Sequence, residues 1–193
     1  ERGVIKDGSE RGAVAVKGRA VILIGQPGSG KTTHVLRMLQ KGAAFLADDI
    51  LLLHEQDENL LLLPFREVAN LSEGAVQRFP ELAFLTDAPR RGDGKFQVSI
   101  DQFFGCSAAA GARPGIVLHL YPEQEPWLRT RSIDMALEGI HNMNWFVSRK
   151  EESVANFFQL TDLMLASKHL DVSQGYLAEH LDALMAEINR RLH

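Results

Sequence analysis

Residues 12–49 read GAVAVKGRAVILIGQPGSGKTTHVLRMLQKGAAFLADD and carry the clearest structural pattern in the chain. Two apolar runs, 14–16 and 20–24, stand at the beginning of this stretch. The three residues between them, Lys17-Gly18-Arg19, include a glycine, which favours a tight turn. The sequence therefore predicts a β-hairpin whose second strand runs into a glycine-rich segment at Gly25.

A helix is predicted directly after the glycine-rich segment, from Lys31 to Gln40. Its apolar residues are Val35, Leu36, Met38 and Leu39. Gly42 stands where the end of a helix favours a residue with a left-handed backbone. The apolar run 43–47 follows and predicts a further strand.

The glycine-rich segment matches the phosphate-loop pattern G-x-x-x-x-G-K-[ST]. Glycines let main-chain amides converge on phosphate oxygens without side chains in the way. The helix start behind them adds unpaired amides and a partial positive charge. A position between a strand and a helix is the context in which this pattern binds a nucleoside triphosphate. The residues expected to bind ATP are Gly25, Gln26, Pro27, Gly28, Ser29, Gly30, Lys31, Thr32 and Thr33.

Lys31 and Thr32 supply the charge and the metal ligand in this interpretation. We expect the Lys31 side chain to be exposed at the helix start, where its ammonium group is a mobile charge for the β- and γ-phosphates. The Thr32 hydroxyl is expected to bind Mg²⁺. The alternative is a plain glycine turn followed by an exposed lysine.

Asp48 and Asp49 follow the predicted strand that ends at Ala47. Adjacent residues at a strand end face opposite sides of the pleat, so the two carboxylates can have different roles. One can bind the metal, directly or through water, and the other can accept the proton of an attacking hydroxyl. Lys31, Asp48 and Asp49 are therefore the candidate catalytic residues. A solvated turn between two strands is the alternative for the aspartate pair.

The rest of the chain predicts a mixed α/β fold with hairpins first and helices last. The predicted elements are a hairpin of strands 50–53 and 60–63, a short helix 72–79 ended by Pro80, an exposed loop 87–94, strands 95–100 and 115–121, and helices in the C-terminal third. Because 193 residues suit one ordinary domain, we treat 1–193 as a single domain. The chain starts with Glu1 rather than Met, which leaves room for an N-terminal region before it.

Apolar residues recur at helical spacing near the C-terminus. They are Leu177, Leu181, Leu184, Met185, Ile188 and Leu192. This spacing predicts one helical face, which we expect to pack onto the sheet of the same chain. A contact in a homo-oligomer is the alternative.

The composition excludes several classes of function. The net charge of −4 gives no general basic surface of the kind that binds nucleic acid. No apolar run approaches the roughly 20 residues that a membrane helix needs, and the N-terminus is too polar for a signal peptide. Cys106 is the single cysteine, which excludes a disulfide framework and a multi-cysteine zinc site. We expect a cytoplasmic protein without membrane or nucleic-acid partners.

The quoted stretch resembles the catalytic domain of HPr kinase/phosphorylase and its relatives, whose phosphate-binding core is shared with phosphoenolpyruvate carboxykinase. The resemblance covers residues 12–25, 31–42 and 46–49. Three features distinguish this pattern from that of common phosphate-loop kinases. They are a hairpin before the loop, a glycine closing the helix, and Ala-Asp-Asp after the next strand. Gly105 and strand 116–120 are also similar, as is segment 170–172 with the helix after it. The resemblance implies a mixed sheet with C-terminal helices.

The same resemblance implies a role for each candidate residue. Lys31 matches the residue that binds phosphate, and Thr32 matches the one that binds magnesium. Asp49 matches the base that accepts the proton of a seryl hydroxyl, and Asp48 would then belong to the coordination shell of Mg²⁺. Two positions depart from the family pattern. This chain has Arg11 where the family has a catalytic histidine, and Pro89-Arg90 where the family has a metal-binding glutamate before Arg-Gly. The resemblance therefore implies a divergent kinase with little or no reverse reaction.

A few other residues have both a functional and a structural interpretation. The basic side chains in and just after the exposed loop 87–94 could bind phosphate oxygens, or they could simply be solvated in an exposed turn. They are Arg90, Arg91 and Lys95. Residues 141–146 are expected to stack on adenine or to cover the site, and an ordinary docking segment is the alternative. His34 and His119 lack a partnered metal spacing, which favours structural roles.

The sequence thus predicts an ATP- and Mg²⁺-dependent kinase that phosphorylates a hydroxyl, with serine of a protein or peptide as the acceptor. A small-molecule kinase on the same core is the second hypothesis. A nucleotide-sensing module without catalysis, whose binding changes an assembly, is the third.

Overall fold

The structure is a computed structural model that describes residues 2–6, 12–48, 50–56, 59–65, 68–100, 108–138 and 150–193. Its strands are β1 (Arg2–Lys6), β2 (Gly12–Val16), β3 (Arg19–Gly25), β4 (Ala44–Asp48), β5 (Ile50–Gln56), β6 (Asn59–Pro64), β7 (Val68–Leu71), β8 (Phe96–Ser99), β9 (Arg113–Tyr121), β10 (Leu128–Thr130) and β11 (Lys168–Ser173). Its helices are α1 (Lys31–Gln40), α2 (Glu73–Arg78), α3 (Ile133–Glu138), α4 (Lys150–Ala166), α5 (Gln174–Glu179) and α6 (Leu181–Arg191), with a 3-10 helix at Pro80–Leu85. These elements form the predicted mixed α/β fold.

A six-stranded mixed sheet, in the order β10-β11-β9-β3-β2-β4, stands at the centre of the fold. Strands β3, β9 and β11 are parallel to one another, whereas β2 is antiparallel to both of its neighbours. The three parallel strands therefore end at the same edge of the sheet, at Gly25, Tyr121 and Ser173. This carboxyl edge is where open α/β sheets usually bind their ligands.

The hairpin predicted before the glycine-rich segment is β2–β3, paired antiparallel from Gly12↔Leu23 to Val16↔Arg19. Its turn consists of Lys17 and Gly18, which both have positive φ, 52° and 73°. Two residues with positive φ form the turn whose twist matches that of the strands. The hairpin prediction is confirmed.

Two cores cover the two faces of the central sheet. On one face pack α1, α2, α5 and α6 together with the β7–β8 pair. On the other face pack α4 and the β5–β6 hairpin, which forms a three-stranded sheet with β1. Burial of the β2 and β3 side chains on both faces explains why these strands read as continuous apolar runs.

The C-terminal third contains a strand that apolar periodicity does not show. Residues 168–173 form β11, paired in parallel with β9, between two helical segments. The stripe from Leu177 to Leu192 also differs from the single helix that its spacing predicts, because α5 ends before His180 and α6 begins after it. The stripe nevertheless packs on the sheet of its own chain, as expected.

No helix among the described residues is long and apolar enough to span a bilayer.

Candidate functional site

The glycine-rich segment links the end of β3 to the start of α1 at the carboxyl edge of the sheet. Gly28 and Gly30 have φ of 80° and 83°, left-handed values that favour glycine. Ser29 N donates to Gln26 O at 3.1 Å and closes a turn between them. The loop therefore folds tightly and delivers the chain into the first turn of the helix.

Gly25 has no room for a side chain. A Cβ at this position would lie 2.9 Å from the Leu120 carbonyl oxygen and 2.9 Å from Ser29 Oγ. The loop is thus held close against the end of β9, which explains in steric terms the glycine at the first position of the pattern.

Lys31 begins α1. The sequence predicted an exposed side chain here, and that prediction is wrong. It is only 2% exposed. Its Nζ donates to Gly25 O at 2.9 Å, to Gln26 O at 2.6 Å and to Ser29 Oγ at 3.2 Å. The side chain folds back over the loop because these oxygens solvate the ammonium group in place of water.

Thr32 and Asp48 meet beside the loop. Thr32 Oγ1 donates to Asp48 Oδ1 at 3.3 Å, and the second carboxylate oxygen accepts from the main-chain amide of Asn70 at 2.7 Å. Asp48 is 8% exposed, so both of its oxygens have a direction fixed by the fold. This contact brings the two candidate metal ligands together.

A β-bulge in β4 directs Asp48 toward α1. The pairing of β2 with β4 shifts between Ala13↔Ala47 and Val14↔Phe45, so that one extra residue, Leu46, lies in β4. Leu46 and Ala47 consequently both pack in the core on the α4 side. The next residue, Asp48, returns to the face that carries α1, where Thr32 lies.

Asn70 extends this group toward the exposed loop 87–94. Its side-chain oxygen accepts from Arg91 Nη1 at 2.6 Å and from Gln97 Nε2 at 3.4 Å. Arg90 turns elsewhere, toward Glu73 at 3.0 Å and over the ring of Phe96. The sequence offered Arg90 and Arg91 as candidate phosphate-binding residues. Of these two, Arg91 is the one that shares a hydrogen-bond partner, Asn70, with Asp48.

His34 and Gln174 stand on the other side of the glycine loop. A Cβ at Gly30 would lie 3.2 Å from Gln174 Nε2 and 3.4 Å from the His34 ring. Burial lowers the pKa of His34 to about 4, with Arg37 and Arg78 adding to the effect, so the imidazole is neutral near pH 7. Gln174 had no signal in the sequence, because only the docking of α5 brings it here.

His119 is buried on the face of the sheet that packs against α4, where it contacts His169. The sequence did not predict this contact. His119 Nε2 lies 3.2 Å from His169 Nδ1, and His169 Nε2 lies 2.8 Å from Met164 O. Since the Met164 carbonyl only accepts, His169 carries its proton on Nε2 and accepts on Nδ1. Within the described ranges no group of three or more His, Cys, Asp or Glu side chains is arranged to hold a metal.

Several residues singled out in the sequence lie outside the described residues. They are Arg11, Asp49, Gly105, Cys106 and 141–146. The base assigned to Asp49 therefore stays a prediction, as do the roles given to the other members of this set.

Comparison with known proteins finds a likeness among solved structures only. No family model matches the chain, and no curated protein matches it. Among solved structures it is similar to the Hpr(Ser) kinase/phosphatase from Coxiella burnetii, at 12% sequence identity and a TM-score of 0.48, over 97% of this chain and 88% of that chain. At that identity and TM-score, the function of this chain has to be inferred from its own residues.

Proposed function

We propose that this chain binds ATP with Mg²⁺ and transfers the γ-phosphate to a hydroxyl, with serine of a protein or peptide as the acceptor. The observation that carries the proposal is the meeting of Thr32 and Asp48 beside a tightly folded glycine loop. A loop hydroxyl together with an aspartate from another strand is the pair that holds Mg²⁺ in nucleotide-hydrolysing phosphate-loop proteins.

The glycine loop supplies the phosphate contacts in this proposal. Gly28 and Gly30 leave the main-chain amides open to an anion, and the start of α1 adds its partial positive charge. Lys31 Nζ rests on the carbonyl oxygens of Gly25 and Gln26, which are neutral acceptors. Phosphate oxygens are anionic and form stronger hydrogen bonds, so the ammonium group exchanges one set of oxygens for the other when the triphosphate binds.

Thr32 and Asp48 fit a magnesium ion by the chemistry of their donors. Both present oxygen atoms, which Mg²⁺ prefers, and it is usually held by one or two protein ligands with water and phosphate oxygens completing the shell. The main-chain amide of Asn70 donates to Asp48 Oδ2. The other carboxylate oxygen, Oδ1, is thereby oriented toward Thr32. The ion, when bound, neutralises charge that develops on the phosphates.

The choice of a hydroxyl acceptor rests on the sequence resemblance over residues 12–49. Asp49 is the base in this proposal, and Arg91, which donates to the same Asn70 that binds Asp48, would contact the transferred phosphate or the acceptor. Arg11 replaces the family's histidine and cannot take up a proton, so we propose a forward kinase with little phosphate-driven reversal.

Magnesium-dependent ATP binding tests the first half of the proposal. Thr32→Val keeps the shape of the side chain but removes the hydroxyl, and we expect about tenfold weaker binding of ATP with Mg²⁺ and little change without the ion. Thr161→Val is the matched control, because the Thr161 hydroxyl donates to the Phe157 carbonyl within α4, away from the loop. Unchanged magnesium-dependent affinity in Thr32→Val, measured by calorimetry, would contradict the proposal.

Transfer of labelled phosphate tests the second half. Incubation with γ-labelled ATP and a cell extract should label protein, and Asp49→Asn should slow this transfer by about 10²–10⁴-fold with ATP affinity nearly unchanged. Label in small molecules would favour the small-molecule kinase, and tight ATP binding with no transfer would favour the sensing module.

A further inference from the structure

A cavity of about 530 Å³ opens beside the start of α1, on the side of the glycine loop away from Asp48. Its walls come from four parts of the chain: α1 (Thr33, His34 and Arg37), the end of α2 with the residues after it (Arg78 and Pro80), Gln124 between β9 and β10, and α5 (Gln174 and Ala178). The volume lies within the range of small-molecule pockets.

The order of residues on α1 places this cavity at one end of a bound triphosphate. Thr32 faces Asp48, which marks the metal-binding end in the proposed function. Thr33 and His34, the next two residues, line the cavity instead, because successive side chains of a helix point about 100° apart. A triphosphate whose γ-phosphate lies near Asp48 thus directs its other end into the cavity.

The wall nearest the loop presents polar atoms at fixed positions. Gln124 Nε2 donates to Gln174 Oε1 at 3.2 Å, which orients that amide so that its Nε2 lies next to Gly30. His34 is only 2% exposed, and its Nδ1 has no hydrogen-bond partner in the described part of the chain. The opposite edge of the ring, with Cδ2 and Nε2, is the one that lies next to Gly30.

The cavity carries charged groups of both signs. Arg37 is held by the carbonyl oxygens of Leu177 and Ala178, at 3.3 and 3.2 Å. Glu81, which accepts from Gln40 at 3.3 Å, brings a carboxylate to the same cavity. Arg78 remains exposed, and within the described ranges it has neither a hydrogen bond nor an ion pair.

We propose that this cavity binds the base and ribose of the nucleoside triphosphate, with Arg78 packed on the base. The lining mixes amide, imidazole, carboxylate and guanidinium groups, which can serve both the donors and the acceptors of a nucleoside. A planar guanidinium group packs well on an aromatic face. The inference rests on the proposed function, since it needs the phosphates on the glycine loop.

Competition between ATP and inorganic tripolyphosphate, both with Mg²⁺, tests the inference. The wild-type chain should bind ATP at least about tenfold more tightly, the difference being the contribution of the nucleoside. Ala178→Tyr, which fills the cavity from α5, and Arg78→Ala should reduce this preference while the affinity for tripolyphosphate stays unchanged. Ala186→Tyr on the exposed side of α6 and Arg113→Ala, at the far end of β9, are the matched controls.

The possible outcomes separate this inference from the proposed function. Equal affinity for ATP and tripolyphosphate in the wild type, or a preference for ATP that survives in Ala178→Tyr and Arg78→Ala, would overturn the nucleoside pocket and leave the phosphate site standing. Failure of the wild type to bind either compound would overturn both.

Discussion

Lys31 holds a charged group in a nearly closed shell of loop oxygens. Burial of an ammonium group is costly unless its donors are satisfied, and here two carbonyls and a hydroxyl satisfy them. The same contacts tie the two ends of the glycine loop together. The side chain therefore stabilises the loop in the absence of phosphate, as well as supplying the charge in the proposed function.

Replacement of Lys31 by methionine should affect both properties. We expect ATP affinity to fall by about 10- to 100-fold, since hydrogen bonds to charged groups contribute about 1.5–3 kcal/mol. The free energy of unfolding should also fall, by about 1–3 kcal/mol, because the loop carbonyls lose their donor. Calorimetric titration and urea unfolding measure the two effects.

Lys41→Met provides the control for Lys31→Met. Lys41 follows the same helix and pairs with Asp182 at 2.6 Å, but both side chains are substantially exposed, so the pair contributes little. Wild-type ATP affinity in a folded Lys31→Met variant would remove Lys31 from the site.

At the scale of elements, the segments with local signals were the ones that could be predicted. Helix α1 has the predicted ends because the glycine loop starts it and Gly42, with φ of 86°, follows its end. The bulge that turns Asp48 toward Thr32 had no such signal, since it arises from the pairing of β4 with β2. The aspartate pair could thus be placed at a strand end from sequence, but not the face on which Asp48 lies.

The break between α5 and α6 was hidden by the very stripe that predicted a helix. Leu177 on one side of the break and Leu184 on the other are both buried in the same core. Apolar spacing reports burial, and it stays regular when two short helices cover one face. Asn70 and Gln174 were likewise missed, because long-range packing alone brings them to the loop.

Ser173 begins α5 and should be more important for stability than an ordinary helix cap. Its Oγ accepts from Tyr176 N at 3.1 Å and from Trp127 N at 3.0 Å, and the residue is fully buried. Ser173→Ala should lower the free energy of unfolding by about 2 kcal/mol, as two partly buried main-chain donors lose their acceptor. Ser72→Ala, at the exposed cap of α2, should cost about 1 kcal/mol or less. Equal losses in urea unfolding would show that the bond to Trp127 contributes nothing.

For the molecule as a whole, the two faces of the sheet have different tasks. The face with α1, α5 and α6 carries the candidate site, and the C-terminal stripe is buried there against the sheet of its own chain. Oligomerisation therefore does not follow from that stripe and stays a prediction. The face with α4 carries the His119–His169 contact, which links β9 to β11.

This histidine contact should make stability depend on pH. Burial lowers the pKa of His119 from 6.5 to about 3, with the nearby Arg131 charge and His169 adding to the effect, and burial also lowers the pKa of His169. Between these values the unfolded chain binds a proton at His119 that the folded chain does not, so the free energy of unfolding decreases as the pH falls below about 6.5. The decrease for one such group is about 1.4 kcal/mol per pH unit.

His119→Gln tests this dependence, because glutamine has no proton to bind but can still donate to His169. Between about pH 7 and about pH 5, the free energy of unfolding of His119→Gln should fall by about 2 kcal/mol less than that of the wild type. Urea unfolding at the two pH values measures this difference, with His180→Gln, at an exposed position between α5 and α6, as the control that keeps the wild-type dependence. Equal losses in His119→Gln and the wild type would mean that His119 takes up its proton without opposing the fold.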